Sequence, residues 1–348
     1  MYTVFLRPPE TLDWKPRTKA AAGRRMVLHA DDYGMNVAVT DGILAGFRHG
    51  LLTSTAILAN APDCPRALSL WRSLQLECAA GELPSRDARR ALHDNCAAFD
   101  LGVHLNLTQG RPVTGSRYPA ELLDVEGRFP GIGGVARRIL MGGSKYRAGL
   151  ERELKAQIEV VLDQGIRPGH LNSHQYVDTF PVVASLIPSL ASRYGIGIVR
   201  VPAERGLVQS TLISKFEPAN WCLAQVKAVF ARWQRHTVGQ RGLAFPHSFF
   251  GASHAGRVDA TTFQCFLAAL TPGLTEIGLH PGVRPTAGDP DQEAVVIQDG
   301  WHDPLAQLRP AELDLLTSED LVTLLLRNHV RLGRLHELEA RKTLRAAA

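Results

Sequence analysis

From residue 25 to residue 332 the chain alternates short β-rich apolar runs with amphipathic stretches of helical period, and this alternation constrains its fold most strongly. Residues 26–30 read as a buried strand. Residues 37–48 follow with apolar side chains at Val39, Ile43, Leu44 and Phe47, Asn36 placed as N-cap and Gly50 near the stop. Further strands are predicted at 53–58, 101–105, 170–173, 196–201, 243–245, 276–279 and 330–332. Further helices are predicted at 151–163, 182–194, 219–234, 260–270 and 318–327, the last capped by Ser318. Seven or eight such units, with no linker and no shift of composition, predict an α/β fold: one TIM-like (β/α) barrel over residues 25–348, with seven strands as the alternative to eight. Residues 1–24 are expected to form a flexible extension. Segments 108–148 and 283–303 are too long and irregular for simple connections and are expected to lie over the barrel mouth.

Composition narrows the function classes. With 348 residues, 45% of them hydrophobic, the chain can bury one large core. Lys and Arg outnumber Asp and Glu by 39 to 34, but no basic run is interleaved with aromatics, so nucleic acid is not an expected partner. Cys64, Cys78, Cys96, Cys222 and Cys265 contain no C-x-x-C pair and read as reduced thiols. The first 25 residues lack a continuous apolar run of signal-peptide length, and no window approaches the roughly 20 apolar residues of a membrane span. A cytoplasmic protein without a transmembrane segment is expected.

Ionisable residues cluster where the predicted strands end. The first strand runs straight into Asp31 and Asp32, which an apolar strand tolerates only if the charges are paired or bind a cation. Adjacent side chains on an extended strand point to opposite sides, so the two carboxylates share a site only if the backbone turns, and Gly34 permits a turn. An Asx-turn or a helix N-cap is the alternative reading of the pair. In 101–108, Gly102, His104, Asn106 and Thr108 share one face. In 170–176, His170, Asn172, His174 and Tyr176 do, with His174 better placed than the deeper His170. His280 ends the strand at 276–279. Each histidine alone reads equally as a hydrogen-bonded core or turn residue. Four βα units that each place an ionisable group at the strand's C-terminal end, where barrel active sites lie, favour a shared site. One Asp and two His would leave a divalent cation with open positions, as in a catalytic rather than a structural site; zinc is the first choice, with magnesium, manganese and cobalt compatible.

The stretches Ala-Asp31-Asp32-Tyr33-Gly34, Gly-Val-His104-Leu-Asn106-Leu, His170-Leu-Asn172-Ser-His174-Gln and Glu276-Ile-Gly-Leu-His280-Pro-Gly together resemble the YdjC-like family of carbohydrate deacetylases, which includes chitooligosaccharide deacetylases and hopanoid-associated HpnK-type enzymes. The motifs stand in family order and span residues 25 to about 335. The resemblance implies Asp32, His104 and His174 as metal ligands, Asp31 as general base and His280 as general acid in removal of acetate from an N-acetylamino sugar. Departures are His29 where the family commonly has Asn, Tyr176 where it has a further His, and Asn172 where many members have Asp. Asn172 and residues 246–256 look more like the hopanoid-associated branch.

Tyr33, Asn106, Tyr176, Phe249, Phe250 and Arg284 are the candidate substrate contacts; Phe249 and Phe250, with Trp221, would form a platform for a sugar face or an apolar aglycone, with core packing as the alternative. The expected partner is an amino-sugar substrate, as a small molecule or linked to lipid or nucleotide, and a homodimer is compatible with the sequence. Two other functions stay open at this level. One is a carbohydrate-binding barrel without catalysis. The other is metal-dependent hydrolysis of another bond, such as a phosphoester, for which Arg111, Arg117 and Arg284 would be the basic residues.

Overall fold

The computed structural model describes residues 24–83, 92, 99–204, 230–284 and 296–338. The expected extension over 1–24 therefore lies outside the described residues except for Arg24, as do Trp221, Cys96, Cys222 and most of the helix expected at 219–234.

Seven parallel strands form the main sheet: β1 (Arg24–Tyr33), β2 (Ser54–Ile57), β3 (Asp100–Leu105), β4 (His170–Ser173), β5 (Ile198–Val199), β6 (Ser248–Phe250) and β7 (Gly273–Leu279), in the order β5-β4-β3-β2-β1-β7-β6. Single parallel bridges, Ile198 to Ala244 and Glu204 to Phe249, bring the two outer edges together. The sheet thus curls into a barrel whose last seam is held by bridges rather than by a ladder. A hairpin of β8 (Val296–Ile297) and β9 (Trp301–His302) stands apart, and β10 (Arg331–Leu332) pairs with the beginning of β1.

The expected α/β architecture with seven barrel strands is the one observed. Helix α1 (Val37–Arg48) has the predicted bounds, and the Asn36 side chain accepts from the Val39 amide. Helices α2 (Cys64–Ala80), α3 (Gly131–Gly142), α4 (Arg147–Asp163), α5 (Pro181–Ala184), α6 (Ile187–Arg193), α7 (Ala260–Ala268), α8 (Arg309–Thr317) and α9 (Glu319–Arg327) follow. The single helix expected at 182–194 is broken between α5 and α6, with prolines at the start of each. The strand expected at 243–245 is only a bridge at Ala244, and the strand itself lies five residues later.

Side-chain alternation divides the barrel interior into layers. Val27, Ile198 and Leu274, from β1, β5 and β7, pack together at the bottom, where Leu335 and Leu338 close it. Two residues up each strand lie His29, Arg200 and Glu276, and beside them His170, all buried. Gly102 makes room for the His170 ring: a Cβ there would meet it at 2.3 Å. Above this polar layer the strands end in Asp31, His104, Asn172, His174 and His280.

Candidate active site

Two aspartates that are neighbours in sequence face one site because the backbone turns at the second of them. Asp32 has φ 70, in the left-handed region, and Gly34 follows at φ 85. The β1–β2 register shifts between Ala30 and Tyr33. The extended chain that would send Asp31 and Asp32 to opposite sides is therefore broken, and both carboxylates line one cavity with His104, His174 and His280. This cavity encloses about 520 Å³.

Asp32, His104 and His174 each offer one ligating atom within 4.8 Å of the others, and all three are buried. His104 Nε2 lies 3.5 Å and His174 Nδ1 2.9 Å from Asp32 Oδ1. Ligands at about 2.1 Å from one cation stand roughly 3.0–3.4 Å apart, close to the two spacings around Asp32 Oδ1. Asn172 settles the tautomer of His104. Its amide nitrogen donates to Asp31 Oδ1 at 2.9 Å, which turns its oxygen toward His104 Nδ1, also at 2.9 Å, and leaves Nε2 free to bind a metal. Gln109 ties His174 to the hairpin: its oxygen accepts from the His302 amide and its nitrogen lies 3.2 Å from His174 Nε2. The donor set fits a divalent cation.

Each aspartate is also held by a buried arginine. Arg200 Nη1 donates to both oxygens of Asp31, at 2.8 and 2.7 Å, and the same guanidinium binds Glu276. Arg309 Nη2 donates to Asp32 Oδ2 at 2.8 Å and to Asp303 Oδ1 at 2.9 Å, while its Nε donates to Asp303 Oδ2. Burial by itself would raise the pKa of both aspartates. Arg200 overcomes it at Asp31, with help from His104 and His29; Arg309, with His174, does so at Asp32. Both acids are held well below the ordinary carboxylate range.

The histidines respond in opposite directions. Burial lowers His104, but Asp31 and Asp32 outweigh it and raise its pKa. The field that draws a proton there is the field that would draw a cation in its place. Burial brings His280 down to about 4 despite Asp32 and Asp31 nearby, and its Nε2 lies 3.9 Å from Asp31 Oδ2. The His280 amide donates to Glu312 of α8, as does that of Val258, so one carboxylate pins the end of β7.

Tyr176 lines the cavity. It and Gln175 are held at φ 59 and φ 52 immediately after His174. Tyr33, Asn106, Phe249, Phe250 and Arg284, also expected as contacts, do not line this cavity. Tyr33 is in the core against Trp71, donating to the Ala67 carbonyl, because the turn at Asp32 points it toward α2. Asn106 is buried and shapes its own loop: its oxygen accepts from the amides of Thr108 and Gln109. Phe249 and Phe250 belong to β6. Phe249 lies under the Arg200 guanidinium, 4.9 Å from ring centre to carbon, and Phe250 stacks on Phe266. Arg284 is exposed and pairs with Asp314. His170 lies in the layer below the site, edge-on to His29.

Sequence reasoning missed Arg200, Arg309 and Asp303. Arg200 carried a signal, since a lone cation in the apolar run at 196–201 must find a buried partner. Arg309 and Asp303 sit among polar neighbours and carried none.

Residues 25–327 match the model of the family described as YdjC-like protein. A mouse protein named carbohydrate deacetylase is 28% identical over 332 residues, covering 91% of this chain and 96% of its own. A human protein of the same name is 29% identical over 336 residues, covering 91% and 92%. One from Geobacillus stearothermophilus is 32% identical over 182 residues, 52% of this chain and 62% of its own. An Enterococcus faecalis structure, described as that of a candidate cellobiose-phosphate cleavage protein, superposes with a TM-score of 0.64 at 19% identity, covering 90% of this chain and 98% of that one. That likeness extends to the fold. By the extent of the family match, the chain belongs to the YdjC-like family.

Proposed function

We propose that the protein is a divalent-metal N-deacetylase that releases acetate from an N-acetylated amino sugar or its conjugate. One observation carries the reading: the cluster of Asp32, His104 and His174, with Asp31 and His280 beside it, lies in a single cavity at the strand ends. The names of the mouse and human relatives supply the substrate class. Bound at Asp32, His104 and His174, a divalent cation would polarise the acetamido carbonyl and make water acidic enough to attack; zinc, magnesium, manganese and cobalt all suit the donor set.

The chain's own residues then handle the protons. Asp31, fixed by Arg200 and Asn172, accepts a proton from the attacking water as the new C–O bond forms. His280 is neutral at pH 7 in this site, so the proton it delivers is the one Asp31 has taken, across the 3.9 Å between them. That proton goes to the sugar nitrogen as the C–N bond breaks, because an amine anion is too basic to leave. Acetate and a free amino sugar result.

The test is acetate release from N-acetylglucosamine and its β-linked oligomers before and after chelation. Activity should vanish with the chelator and return with added zinc or manganese. Asp31→Asn should keep the metal and lose turnover; full activity in that variant would refute the base assignment. A phosphoester substrate is not favoured: Arg284 pairs with Asp314, Arg111 bonds the Glu126 carbonyl and Asp299, and neither they nor Arg117 line the cavity.

A further inference from the structure

Asp303 is a buried carboxylate on the cavity wall that the proposed chemistry does not use. Its oxygen Oδ1 and Asp32 Oδ2 sit on the same nitrogen of Arg309, at 2.9 and 2.8 Å. Asp303 Oδ2 receives Nε of that guanidinium at 2.7 Å, so both of its oxygens are taken. Arg309 also lies against the carbonyl of His280 and accepts from Gly282 through its own carbonyl. One side chain thus joins the ends of β1 and β7 to the segment after β9.

This geometry has a chemical consequence. A carboxylate ligates a cation through one oxygen or through two, and hard divalent cations recruit further carboxylates when these are within reach. Here Asp32 has one oxygen, Oδ1, turned to His104 and His174, and the other engaged by the guanidinium. A planar fork with two donor edges can hold two carboxylates at once, which a lysine cannot. We infer that Arg309 is a positioning residue that confines the metal centre to one carboxylate oxygen, keeping Asp32 monodentate and withholding Asp303 from the ion. Positions on the cation are thereby left for water and the substrate carbonyl. The inference rests on the metal-centre reading above.

Cobalt(II) is the probe, because its visible spectrum reports coordination number as well as occupancy. Titrations of wild type, Arg309→Gln, and Arg309→Gln combined with Asp303→Asn are followed by calorimetry and absorption. In Arg309→Gln the freed Asp303 should join the ion: the visible band should weaken as coordination number rises, and acetate release should fall. Removing Asp303 as well should bring the band part of the way back, because Asp32 is still free to bind through both oxygens. An unchanged spectrum in folded Arg309→Gln overturns the inference, and so does a double variant whose spectrum is identical to that of Arg309→Gln. If Arg309→Gln does not fold, Arg309→Lys serves, with the same direction expected and an unchanged spectrum again decisive against it. A wild-type protein that takes up no cobalt would instead overturn the metal-centre reading itself.

Discussion

Two buried arginines hold the two adjacent aspartates, and the surroundings of the two pairs differ. Arg200 joins Asp31 to Glu276, which lies a layer deeper in the barrel, buried and away from the cavity, and Phe249 covers the guanidinium. Arg309 joins Asp32 to Asp303, and all three line the cavity. In the first cluster only Asp31 faces the cavity, and Arg200 and Glu276 are sealed in protein; in the second, every member lines the cavity, where water or a cation can replace a lost partner. The Arg200 cluster is therefore the more dependent on its pairing for stability. The Arg309 cluster is the one whose disturbance changes the chemistry of the site.

The largest expected effect separates the two aspartates. Asp31→Asn should lower turnover by about 10²–10⁴-fold while still binding metal, since general-base catalysis is lost and the ligands remain. Asp32→Asn should lose both, and calorimetric titration with zinc distinguishes the two outcomes. If both variants bound metal equally, the division of labour between the neighbours would be wrong. Next in size is stability. Arg200→Met leaves Glu276 without its cation in the sealed interior and should cost about 3–5 kcal/mol, whereas Arg309→Met, whose two carboxylates both line the cavity, should cost roughly half of that. Urea unfolding measures both, and equal losses would break the comparison between the clusters.

Much of the site was legible in the sequence because barrel strands alternate. Counting by twos along 26–32, 101–108, 170–176 and 276–280 puts Asp31, His104, His174 and His280 on inward faces at strand ends, and the fold follows from the same counting. Alternation alone could not bring Asp32 to the same side as Asp31. The left-handed turn at Asp32 does that, and nothing in an Asp-Asp pair announces it. Phe249 and Phe250 lie outside the strand predicted at 243–245, yet they belong to β6, which begins five residues later, and to its packing. Helices α3 and α8 escaped notice too, α3 inside a Gly- and Arg-rich segment and α8 without a capping side chain. Together they bring Ile132, Gly133, Ala136 and Arg309 to the cavity.

A smaller effect concerns protons in the interior. His280 takes a proton at about 4 when folded and near 6.5 when unfolded, so between these values the unfolded chain binds more protons. Its contribution to stability falls as pH drops from 6.5 to 4, by up to about 1.4 kcal/mol per pH unit. Glu312, bonded to the His280 amide, acts in the opposite sense. Burial raises it to about 7, so the folded chain binds its proton first and gains stability as pH falls from 7 toward 4.5. The two partly cancel in the wild type, and His280→Gln removes one of them. The stability of that variant relative to wild type, from urea unfolding at pH 7, 6, 5 and 4, should rise steadily as pH falls. A constant difference would show that His280 does not stay neutral in the folded protein.

The smallest effect is expected at an arginine that lies in neither cluster. Arg284 follows the His280 turn closely in sequence, yet its side chain is 78% exposed and its partner Asp314 is 68% exposed. Solvent screens such a pair, and Arg284→Ala should change stability by no more than about 0.5 kcal/mol. KM and kcat for an N-acetylamino sugar should also stay at wild-type values, because the side chain does not line the cavity. A raised KM with unchanged kcat would mean that the substrate extends beyond the cavity to this surface. That result would place a third arginine in the working site and extend the comparison from two clusters to three.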